Sequence, residues 1–133
     1  MQILIAEDDS DTATMYRRFL EGRRNHHVII ANGARDCLTF YHEKLQNITS
    51  EISASLQSRA FDVIILDYKM ADMNGLEVAK EILAINPHQR IIFASAYVKQ
   101  TLLDSVKQLN QPVESLQKPF GEEQLINAVE KKE

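Results

Sequence analysis

Cysteine is almost absent. Cys37 is the only one in 133 residues, so no internal disulfide can form. That usage fits a reducing compartment, and a cytoplasmic location is expected. No apolar run approaches the roughly 18–20 residues of a membrane span. The opening M-Q-I-L-I-A-E-D-D has neither a basic stretch nor a long apolar core, so no signal peptide is expected. The sequon-like Asn47-Ile48-Thr49 then carries no weight, because it matters only in a secreted protein. No Pro/Ser-rich linker, internal repeat or low-complexity tract divides the chain, and one domain over residues 1–133 is expected. Positive charge is in deficit: 15 Lys and Arg face 19 Asp and Glu, a net charge of −4. This argues against a domain that binds nucleic acid directly.

What is present is a series of short apolar runs, each ending in a polar residue. Hydrophobic residues make up 44% of the chain, enough for one globular core. The central run is Val63–Leu66, rich in β-branched residues, which predicts a strand buried on both faces. It ends at Asp67, and a loop with Asp72, Asn74 and Gly75 leads into a helical pattern from Leu76. By itself Asp67 either opens a solvated turn or carries chemistry, since ligands of open α/β sheets bind beyond the carboxyl ends of strands.

Four similar runs surround it. Residues 2–6 are a first strand, followed at once by Glu7, Asp8 and Asp9; Asp9 or Ser10 is placed to cap a helix whose apolar face is Ala13, Tyr16, Phe19 and Leu20. Residues 27–31 are a second strand, with Asn32-Gly33 as the turn. The pair His26-His27 is not expected to bind one metal ion together, because neighbouring strand residues point to opposite faces. Residues 90–94 are a fourth strand reaching Ser95, and residues 112–117 a weak fifth leading to Lys118. Helical patterns cover residues 76–85, 99–109 and 121–131. Alternation of this kind predicts an α/β fold, a parallel sheet with helices on both faces and right-handed crossovers.

Residues 34–59 are unusually long for a connection. Cys37, Tyr41, Leu45, Ile48, Ile52 and Leu56 form one stripe. A helix over that span would be roughly 36–39 Å long, against ~17 Å for a five-residue strand. The expectation is an elongated second helix, or a helix pair broken near residues 47–50, where helix formers are poor. It serves as extra core cover, or docks a partner or a second copy of the chain as a homodimer.

With the strands laid parallel, Glu7, Asp8, Asp67, Ser95 and Lys118 fall along one sheet edge. Three carboxylates in one pocket repel, and a divalent cation relieves this; an all-oxygen set suits Mg²⁺. A metal beside an aspartate is ready for phosphoryl transfer, with an acyl phosphate as product. Ser95 and Lys118 would donate hydrogen bonds to phosphoryl oxygens. A nucleotide-binding alternative is disfavoured, because residues 7–12, E-D-D-S-D-T, contain no glycine to cradle a phosphate.

Four motifs in order then make the sequence resemble a response-regulator receiver domain of two-component signalling: I-L-I-A-E-D-D at residues 3–9, L-D-Y-K-M-A-D-M-N-G at 66–75, F-A-S-A at 93–96 and K-P-F at 118–120. The resemblance implies the doubly wound (βα)5 flavodoxin-like fold with strand order 2-1-3-4-5. It implies Asp67 as phosphoacceptor, with Mg²⁺ held by Asp8, Asp67 and the main-chain carbonyl of Lys69, and by Glu7 mostly through water. Ser95 takes the hydroxyl switch position, Lys118 the family's lysine position, and the Lys118-Pro119 bond is often cis in the family. The partner implied is a sensor histidine kinase or phosphotransfer protein, with no enzyme activity beyond self-catalysed phosphorylation and dephosphorylation. Ser115 departs from the pattern, since many receivers have Tyr or Phe there. Ala71 replaces a frequent proline, and Lys69 and Tyr97 occupy positions that tune acyl-phosphate lifetime in the family. The Ser115 departure keeps an alternative in view: a receiver-like interaction module that works through the long second helix without phosphate.

Overall fold

A computed structural model of the protein describes residues 1–22, 26–51, 60–96 and 113–131, with side chains except at 48–51. Its elements in chain order are β1 (Gln2–Ala6), α1 (Ser10–Glu21), β2 (His27–Ala31), α2 (Ala34–Glu51), β3 (Val63–Asp67), α3 (Gly75–Ile85), β4 (Ile91–Ser95), β5 (Glu114–Gln117) and α4 (Glu122–Glu130). The strands form one parallel sheet in the order β2-β1-β3-β4-β5.

The continuous apolar runs of β1, β3 and β4 are explained by the two layers they feed. Leu4, Ile64, Leu66 and Phe93 pack with Cys37 and Tyr41 of α2 and Val78, Ala79 and Ile82 of α3. Their sequence neighbours Ile3, Ile5, Val63, Ile65 and Ile92 pack on the other face with Tyr16 and Leu20 of α1 and Leu125, Ile126 and Val129 of α4. Side chains alternate along a strand, so a run without polar interruption buries both faces. β5 is an edge strand, and its half-exposed residues account for its weak pattern.

Helix ends follow local chemistry in part. Asn74 precedes α3 and accepts from the Glu77 amide at 3.0 Å, a side-chain N-cap. Asp9 occupies the N-cap of α1 but makes no such bond. Its carboxylate instead accepts from the Thr12 hydroxyl at 2.5 Å. α2 runs through residues 47–50 to Glu51 without the break that their weak propensity allowed. The rest of the expected long segment, residues 52–59, lies outside the described residues, as do Tyr97 and the helical pattern over 99–109.

Candidate functional site

The sheet order brings the exits of β1 and β3 side by side, since Ala6 pairs with Leu66. Glu7 and Asp8 therefore leave β1 next to Asp67 at the end of β3. One carboxylate oxygen from each lies within 4.8 Å of the others. Glu7 and Asp67 are buried and Asp8 is exposed. Ser95 ends β4, and its main-chain oxygen accepts from the Lys118 amide at 2.7 Å, which ties the β4 and β5 exits together. The Lys118-Pro119 bond is cis.

Lys118 reaches back over the acids. Its Nζ lies 3.0 Å from Glu7 Oε1 and 3.3 Å from Asp67 Oδ1. Phe120, two residues on, stacks on Tyr16 of α1 at 5.0 Å between ring centroids, which fixes the turn that carries Lys118. A cavity of about 250 Å³ lined by Asp67, Lys69, Ser95, Ala96 and Lys118 opens beside these groups.

The electrostatics follow from the crowding. Burial raises the pKa of Glu7; the hydrogen bonds from Lys118 and the Asp9 amide oppose this, and the charge of Asp67 adds to it. Burial pulls Lys118 down, but the Glu7 hydrogen bond and the charges of Asp67 and Glu7 outweigh it, so its pKa is raised. One ammonium thus serves two buried carboxylates, with a third close by. The donor set is all oxygen, clustered and net negative, which fits Mg²⁺.

The loop after β3 is held close to the acids. The Lys69 amide lies 3.4 Å from Asp67 Oδ1, and the Ala71 amide donates to Asp8 Oδ2 at 2.9 Å. Gly75 is required here for space: a Cβ on it would stand 2.5 Å from the main-chain oxygen of Asp67 and 3.0 Å from Tyr68 Cα. Ser115 lies on β5 opposite Phe93 and is half-buried. The ring set edge-on against Phe93 is that of Tyr68, at 6.0 Å.

All five candidates named from the sequence by side chain, Glu7, Asp8, Asp67, Ser95 and Lys118, lie at this edge. His26 is elsewhere, 2.7 Å from Glu130. Sequence reasoning missed the Ala71 amide on Asp8 and the use of Asp72. The Asp72 carboxylate accepts from the amides of Ala34 and Arg35 at 3.1 Å each, and these hydrogen bonds lower its pKa. No local signal marks a bond across that separation.

Fold and site together define the receiver class of two-component signalling proteins. The chain belongs to the response regulator receiver domain family, whose model matches residues 3–130. It is 27% identical over 132 residues to the transcriptional regulatory protein ZraR of Escherichia coli K12, covering 98% of this chain and 26% of that protein. The chain therefore spans about a quarter of that relative's length. It is 28% identical over 130 residues to the response regulator receiver protein CpdR of Brucella abortus, covering 98% of this chain and 94% of that one. Among solved structures, a CheY-like receiver domain protein from Methanospirillum hungatei superposes with a TM-score of 0.75 at 20% identity, over 96% of this chain and 89% of that one. Vibrio cholerae CheY4 gives 0.74 at 22% identity, over 96% and 94%. At such identities these structures speak to the fold. No helix among the described residues is long and apolar enough to cross a membrane.

Proposed function

We propose that Asp67 accepts a phosphoryl group from a phosphohistidine on a sensor histidine kinase or phosphotransfer protein, and that the acyl phosphate switches binding of a partner. The observation that carries this reading is the meeting of Glu7, Asp8 and Asp67 within 4.8 Å, with Lys118 3.3 Å from Asp67 beside an open cavity. An Asp67 carboxylate oxygen attacks phosphorus as the phosphorus–nitrogen bond breaks. The bonding pair returns to the imidazole nitrogen. Lys118 Nζ donates to the incoming phosphoryl oxygens and offsets their charge, and the Ser95 hydroxyl donates to another. Asp8, Asp67 and the Lys69 carbonyl would hold Mg²⁺, with Glu7 acting mostly through water. The ion, when bound, supplies positive charge against the carboxylates and the phosphoryl oxygens. The domain turns over no separate substrate, so its chemistry is self-phosphorylation and loss of that phosphate.

Incubation with a small-molecule phosphodonor and Mg²⁺ should add one phosphoryl group to the wild-type chain, read by intact mass. Asp67→Asn should add none. Equal labelling of both would reject Asp67 as the acceptor.

A further inference from the structure

The start of α2 is capped from far away. Gly33 stands immediately before Ala34 and its main-chain oxygen accepts from the Cys37 amide at 3.1 Å, so Gly33 holds the N-cap position. That position usually belongs to Ser, Thr, Asp or Asn, whose own side chain accepts from the first amides of the helix. Glycine has no such group. The two amides of Ala34 and Arg35 are taken by the two oxygens of Asp72, at 3.1 Å each, from the loop after β3. Gly33 makes room for this. A Cβ there would meet Asp72 Oδ1 at 3.2 Å and Oδ2 at 3.3 Å, and its backbone is not in the left-handed region.

The residue next to Asp72 faces the other way along the same loop. The Ala71 amide donates to Asp8 Oδ2 at 2.9 Å. Two adjacent residues thus join the acidic cluster to the first turn of α2. Asp72 is negative at the positive end of the helix dipole, and Arg35 adds to its attraction. The loop has no proline at Ala71 to stiffen it, so its position depends on such tethers.

We infer that Asp72 is a positioning residue of the cation site: by capping α2 it holds the 67–75 loop where the Ala71 amide orients Asp8, and cation binding in turn tightens the first turn of α2. This rests on the Mg²⁺ site of the preceding section. Coupling between two events is reciprocal, so a factor lost from cation affinity without the cap is a factor by which the cation strengthens the cap. Groups that orient metal ligands are typically worth about tenfold or more in affinity.

The test is a MgCl₂ titration of the ¹⁵N-labelled full chain, with amide hydrogen exchange at Ala34 and Arg35 measured before and after. Asp72→Ala should weaken Mg²⁺ about tenfold. Asp72→Asn, which keeps one acceptor oxygen, should fall between it and wild type. Gly33→Ala, which touches no ligand, should also weaken binding by crowding Asp72. In wild type, Mg²⁺ should slow exchange at Ala34 and Arg35 by a comparable factor; in Asp72→Ala it should not. Equal Mg²⁺ affinity in wild type and all three variants, with exchange at Ala34 and Arg35 indifferent to the ion, overturns the inference and leaves the cation site standing. Absence of Mg²⁺ binding by wild type overturns the site itself and this inference with it. Asp72→Asn and Gly33→Ala keep the outcome decidable if Asp72→Ala fails to fold.

Discussion

Lys118 and Glu7 stand 111 residues apart in the chain, yet Nζ of one lies 3.0 Å from Oε1 of the other. The same ammonium is 3.3 Å from Asp67, so it is the cation that holds two buried acids together. Lys118→Ala should slow labelling by a small phosphodonor about 100-fold, the usual loss when a donor to a developing charge is removed. Mg²⁺ affinity should hold or rise, because a competing positive charge is gone. Labelling at the wild-type initial rate would remove Lys118 from the chemistry.

Glu7 makes the site sensitive to pH. Its pKa is raised from 4.5 by burial, so the folded chain disfavours its ionised form. A raised carboxylate favours folding below its unfolded pKa, and that advantage is lost as pH rises through the folded value. Without divalent cations, stability should therefore slope downward from pH 4.5 through the raised pKa, and Glu7→Gln should flatten the slope in chemical denaturation. Mg²⁺ affinity should climb over the same window, since a proton on Glu7 removes negative charge from the site. An affinity independent of pH there would contradict this.

Gly75 is a packing requirement of the loop after Asp67. The methyl of Gly75→Ala would stand 2.5 Å from the Asp67 main-chain oxygen, so α3 or the end of β3 must shift. A loss of about 2 kcal/mol is expected, typical of overpacking. Labelling of Asp67 should slow as well. A variant with wild-type midpoint and labelling rate would show that the approach is not needed.

Arg90 does comparable work at the opposite end of the sheet. Its guanidinium pairs with Glu114 through Nε at 2.5 Å and Nη2 at 2.8 Å, and donates to the main-chain oxygens of Ala128 at 2.5 Å and Val129 at 2.6 Å. It ties the end of α4 to β4 and β5, at the negative end of the helix dipole. Arg90→Ala should cost about 2 kcal/mol, below the loss for a fully buried pair, because the Glu114 side chain is 33% exposed. Labelling measured well below the midpoint should be unchanged. An unaltered denaturation midpoint would show that Arg90 is dispensable.

Much of this was legible in the linear chain for a physical reason. Strands buried on both faces must be apolar without interruption, and the polar residue that ends each run marks where the strand leaves the apolar core. Val63–Asp67 and Gln2–Ala6 have such patterns, so their exits at Asp67 and Glu7 could be read directly. The absence of glycine after β1, and the acids in its place, pointed to a cation rather than to a bare phosphate cradle. Local caps were less readable: Asn74 caps α3 with its own side chain, whereas Asp9 binds a hydroxyl and Gly33 has nothing to offer.

Periodicity alone pointed to the apolar residues that fill the core, to the exits of β1, β3 and β4, and to an alternating α/β architecture. It says nothing of which strand lies beside which; the resemblance to receivers supplied the order, and the tertiary structure realises it. Laying β1 against β3 brings Glu7 and Asp8 to Asp67, and the β4–β5 pair carries Lys118 across to them. Only the folded chain decided that Ala71 binds Asp8 and that Asp72 caps a helix 38 residues earlier. Burial is a property of each residue and its spacing, so it is written locally. A hydrogen bond between distant loops depends on where two separate backbones come to rest, and only packing settles that.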